Sequence, residues 1–144
     1  MQVKPKWEEI TEFCQLAAKM VEKYPERFGS VEVDRIVAYG CTNKERPDKK
    51  AKLYEMSGET EPESFTNSKT YFIKMFMSDW ESRDEAAKLL IVASALSRID
   101  PDNPGRVGPL DYRDQNVMVK TFGPDWQDRS DVPHLLKDQI SFRE

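Results

Sequence analysis

At 144 residues the chain falls within the usual size of one domain, so a single domain over residues 1–144, with one core, is expected. Hydrophobic residues at 38% and charged residues at 33% exclude a disordered or fibrous chain, and no apolar run approaches the roughly 20 residues of a membrane span. The net charge of −4, from 26 acids and 22 bases interspersed along the chain, excludes a strongly basic nucleic-acid binder and gives weak steering of partners.

The opening stretch from Met1 to Trp7 is polar and lacks the apolar core of a secretory leader, so a cytoplasmic protein is expected. Trp7, Ile10, Cys14, Ala17, Val21 and Tyr24 recur at steps of three and four, which predicts a long amphipathic first helix with Cys14 in the core. Pro25 disfavours helical geometry at Tyr24 and should end it.

Three strands are predicted next. Asp34–Thr42 is rich in β-branched and aromatic residues, Ala51–Ser57 alternates apolar with charged residues, and Lys69–Ser78 is apolar enough for a central strand. The charged loop between the first two carries Lys44, Arg46, Lys49 and Lys50. It reads first as a solvated loop and second as a nucleic-acid contact, and nucleic acid is the less favoured partner.

Ser82, followed three positions later by Glu85, is a capping-box pattern for a helix reaching about Ile99, with a stripe of Ala86, Leu89, Leu90, Ala93, Leu96 and Ile99. Asp111 can cap a third helix through Val119 and Phe122, with Gly123 at a left-handed position after it. A last short helix is expected around Val132–Lys137, capped by Asp131, with Pro133 in its first turn. This order predicts an α+β fold. A small, mostly antiparallel sheet should be packed by the long N-terminal helix and the central helix, with short C-terminal helices.

Local chemistry is sparse. Cys14 and Cys41 have no metal-ligand spacing, and His134 stands alone in "VPHLL", where a capping or partly buried role is the first expectation. Asp79, Glu81, Asp84 and Glu85 match the positive end of a helix dipole better than a carboxylate pair. There is no nucleophile elbow, phosphate loop or dinucleotide fingerprint. Trp7, Trp80 and Trp126 lie near element ends and suit core edges first, a binding surface second.

Three segments together resemble the phage metallopeptidase family of small zincin-like proteins. They are the first helix leading into "YPERFGSVEVDRIVAY", the helix "KLLIVASALSRIDP", and "DYRDQNVMVKTFGPDWQDRSDVPHLL". The resemblance spans nearly the whole chain. It implies a helix bearing H-E-x-x-H, in which two histidines one turn apart share a zinc and the glutamate activates its water.

Laid over "SALSRI", that motif keeps Leu96 and Ile99 but meets Ser94 and Arg98 in place of the histidines and Ala95 in place of the glutamate. The downstream ligand position falls near Asp111. The resemblance therefore implies a non-catalytic zincin-like phage or prophage protein, a pseudo-metallopeptidase without cofactor, cytoplasmic in the host bacterium. It would bind a protein or peptide partner through the region of Ser94, Ala95, Arg98 and Asp111, and an inhibitor of a host defence component fits that origin. In that region Arg98 can pair with Asp111, bind an anionic ligand or simply complement the helix end. The alternative is a hydrolase with an atypical divalent-metal site involving Asp111 and His134.

Overall fold

The computed structural model describes residues 4–47, 52–60, 68–103, 105–108, 116–123, 125–129 and 131–142. Four strands, β1 (Trp7–Glu9), β2 (Ile36–Cys41), β3 (Tyr54–Gly58) and β4 (Tyr71–Phe76), form one sheet in the order β1-β2-β4-β3. The helices are α1 (Thr11–Lys23), α2 (Pro25–Phe28), α3 (Met77–Glu81), α4 (Glu85–Ser97) and α5 (Asn116–Phe122). The fold is α+β.

The sheet is mixed. β1 pairs antiparallel with β2 and β3 antiparallel with β4, but the central pair is parallel, with Ile36 opposite Tyr71 and Cys41 opposite Phe76. The expectation of a mostly antiparallel sheet holds for the two outer pairs and needs correction at the centre. A segment as long as 42–70 can return the chain to run alongside β2, which no hairpin could. β4 is central, as its apolarity suggested, and buries Tyr71, Ile73 and Met75 on one face.

The first helix begins later than its periodicity suggested. Trp7 lies in β1, 48% exposed, because Trp7–Glu9 pairs with Tyr39–Cys41. The Ile10 N–H extends this pairing by donating to the Ala38 carbonyl at 2.8 Å. α1 then buries Phe13, Leu16, Ala17 and Met20, while Cys14 and Val21 sit at the margin of the core rather than in it. The Cys14 thiol donates to the Ile36 carbonyl at 3.2 Å, and burial pushes its pKa up. α1 ends before Tyr24 as expected, and Pro25 opens α2, where a missing N–H is harmless.

α4 starts at Asp84, whose carboxylate accepts the Ala87 N–H at 2.9 Å. Ser82 instead closes α3, its N–H donating to the Ser78 carbonyl, so the expected Ser82 cap is corrected. Every residue from Leu89 to Leu96 is buried, so α4 is covered all round rather than along one stripe. The sheet residues Ile36, Ala38, Ile73 and Met75, the α1 face, Met118, Trp126 and Leu135 belong to the same buried cluster.

Gly123 has φ 96° directly after α5, the left-handed conformation expected there. Asp111, the expected cap of that helix, lies outside the described residues. The expected helix at Val132–Lys137 is a turn. The Asp131 carboxylate is bound to Arg129 at 3.0 Å instead of capping, and His134 Nδ1 accepts the Leu136 and Lys137 N–H groups at 3.3 and 3.2 Å. Phe142 anchors the following segment by edge-on contacts with Tyr24, Phe28 and Phe122 at 5.6, 5.7 and 5.9 Å between centroids.

Candidate functional site: the seam between the central helix and the edge strand

Ser94 and Arg98 are four residues apart at the end of α4 and therefore share a face. That face meets β3. The Tyr54 and Ser94 hydroxyls are 2.7 Å apart in a buried contact, and the Arg98 guanidinium lies 5.6 Å from the Tyr54 ring centroid. Tyr54 points inward because it shares a sheet face with its cross-strand partner Met75, so strand alternation delivers its ring to the helix. Ala95 is fully buried beside Ser94.

Arg98 is the C-cap of α4, and its position is fixed at both ends. Its Nε donates to the Gly108 carbonyl at 2.9 Å, while the Gly108 N–H donates back to the Arg98 carbonyl at 2.7 Å. An Ile99–Val107 bridge continues the clasp. The same returning segment packs under the end of β3, where a Cβ on Gly58 would collide with the Gly105 carbonyl oxygen. The opposite edge of β3 pairs with no strand among the described residues. Beside that edge a cleft of about 250 Å³ is lined by Lys52, Tyr54, Glu55, Met56, Ser57, Phe72, Lys74 and Arg98.

The residues at the helix face do not fit a zinc ion. The Ser94 hydroxyl is held by Tyr54, Ala95 has no donor atom, and the Arg98 guanidinium repels a cation. Among the described residues, no group of three or more His, Cys, Asp or Glu side chains could hold a metal. His134 lies elsewhere. Its Nε2 is 3.1 Å from Glu85 Oε1 at the start of α4, about 20 Å along the helix axis from Arg98. With Nδ1 accepting backbone N–H groups, His134 acts as a capping residue, though of a turn rather than a helix.

Among the described residues of the basic loop, Lys44 and Arg46 differ in their surroundings. Lys44 is exposed, as a solvated loop would have it, but the Arg46 side chain is only 10% exposed and its Nε is 3.4 Å from the Asp79 carboxylate. Arg83 shares Asp79 and also donates to the Asp79 and Gln127 carbonyls. Burial pulls the Arg83 pKa below the ordinary arginine value against the attraction of Asp79. Lys49 and Lys50 lie outside the described residues.

Elsewhere, a cavity of about 750 Å³ opens between Lys23–Val31 and Gln139–Phe142. Its cations have structural work. Lys23 Nζ donates to the Leu135 and Asp138 carbonyls, and the Arg27 guanidinium lies 4.7 Å from the Phe142 ring centroid.

Sequence reasoning singled out Ser94, Ala95 and Arg98 but missed Tyr54, Lys52 and Lys74. The available signal was the alternation in Ala51–Ser57, which puts an aromatic ring at an inward position. The chain matches no family model, no curated protein and no solved structure. No helix among the described residues is long and apolar enough to cross a membrane.

Proposed function

We propose that the chain is a non-catalytic, zincin-like protein of phage or prophage origin that binds an extended segment of a protein partner. A component of host defence in the bacterial cytoplasm is the target class that this origin suggests. One observation carries the reading. The two residues aligned with the family's histidines, Ser94 and Arg98, both face Tyr54 on β3, whose outer edge pairs with no strand among the described residues.

In a zincin the corresponding seam holds an extended peptide against the edge strand while the metal cuts it. Here a tyrosine, a serine and a guanidinium fill the seam, and a strand-binding edge remains. Backbone hydrogen bonds would supply affinity along β3, and the neighbouring cleft would read side chains.

Two measurements test this. A pool of extended peptides titrated into labelled protein should shift the Tyr54–Gly58 amides in NMR spectra and leave α1 unmoved. Shifts confined to other surfaces would sink the strand-addition reading. Elemental mass spectrometry on untagged protein should find no near-equimolar transition metal, and peptide hydrolysis accompanied by such metal would overturn the non-catalytic reading.

A further inference from the structure

We propose that the β3 edge selects an acidic extended segment, an inference that rests on the strand-addition reading above. The whole chain is net negative, at −4, yet the cleft beside β3 gathers Lys52, Lys74 and Arg98 against the single acid Glu55. This local excess of cations runs against the charge of the molecule.

These cations form no ion pair among the described residues. Arg98 commits only its Nε to Gly108, and its two terminal nitrogens make no hydrogen bond or ion pair among the described residues. Lys52 and Lys74 have no acidic partner within ion-pair distance among the described residues. Lys74 faces Glu55 across the β3–β4 ladder, and its Nζ lies 5.6 Å from the Trp7 ring centroid.

Geometry then dictates the form of the ligand. A strand added beside β3 would lie about 4.8 Å away and send alternate side chains to opposite faces of the sheet. Tyr54 and Arg98 stand on the face toward α4 and Lys74 and Glu55 on the other, so carboxylates at two neighbouring positions would reach Arg98 on one face and Lys74 on the other. Arg98 can take a carboxylate through both terminal nitrogens, a geometry a lysine cannot offer. Tyr54, packed under the guanidinium, holds that fork in place.

The test uses short threonine peptides carrying glutamate, glutamine or lysine at two neighbouring positions, one for each face. The glutamate peptide should bind about tenfold more tightly than the glutamine peptide at low salt, and the difference should shrink as salt screens the charges. The exposed double change Lys52→Gln with Lys74→Gln, which sets no like charge opposite Glu55, should remove the preference while the circular dichroism of the folded protein stays unchanged. Arg98→Gln should weaken glutamate binding and leave glutamine binding as it was.

Equal binding of the glutamate and glutamine peptides, with β3 amides still shifting, would overturn the acidic preference and leave strand addition standing. Glutamate binding undiminished by the lysine changes would overturn the assignment to this cleft. Failure of all three peptides to bind the folded protein would overturn both readings together.

Discussion

The Tyr54 and Ser94 hydroxyls meet at 2.7 Å across the buried seam between β3 and α4. A double-mutant cycle of Tyr54→Phe and Ser94→Ala should return a coupling of about 1 kcal/mol in chemical denaturation, the usual net value of such a bond. Strict additivity of the two changes would show that the pair does not hold the strand to the helix.

Asp79 lies between two cations, Arg46 and Arg83, each with a largely buried side chain. Asp79→Asn should destabilise the fold by about 3 kcal/mol, because it leaves two guanidinium groups without their counter-charge. Arg46→Leu should cost less, since Arg83 still pairs with the carboxylate. Equal losses from the two changes would contradict this ordering, and urea titration reads it directly.

Glu12 accepts from Lys88 Nζ at 2.8 Å and from Trp80 Nε1 at 3.0 Å, joining α1 to α4 and α3. The Lys88 hydrogen bond, first among the causes, holds the Glu12 carboxyl below the ordinary glutamate value of 4.5, although burial opposes it. A depressed carboxyl stabilises the fold above its unfolded pKa, and that stabilisation is lost as pH falls through the folded value. The Tm advantage over Glu12→Gln should therefore be complete at neutral pH and fade as the pH falls below the ordinary glutamate range. An advantage independent of pH would rule out the charged pair as its source.

Phe142 touches three rings edge-on, and Arg27 lies over its face. Because Phe142 is half-buried, Phe142→Ala should cost about 2–3 kcal/mol, below the loss for a fully buried phenylalanine. Phe142→Leu should recover part of it. Hydrogen exchange should show the loss first at Gln139–Phe142 and in α2, and unaltered protection there would refute the anchoring role.

Much of the fold was legible because local chemistry and burial agree. The β-branched content of β2, the apolar density of β4 and the glycine after α5 each reflect a requirement met within a few residues. What was hidden depends on distant partners. Trp7 fits a helical period, but pairing with Cys41 places it in a strand. The parallel alignment of β2 with β4 leaves no local mark, and Asp131 looked like a cap until Arg129 claimed its carboxylate. In the candidate site, the spacing of Ser94 and Arg98 was readable along one helix. Tyr54 comes from another element forty residues earlier, and the burial of Arg46 depends on Asp79, so neither was visible.

The strand order β1-β2-β4-β3 has a consequence for how the chain is made. β4 leaves the ribosome after β3, yet it must settle between β2 and β3. Until then β3 has no neighbour to pair with, and the apolar β2 offers an open edge to any passing chain. The nascent protein cannot grow its sheet strand by strand, so consolidation waits for β4 and for the α4 helix that follows directly behind it. Such non-local assembly slows folding and lengthens the interval in which chaperones have a substrate to hold.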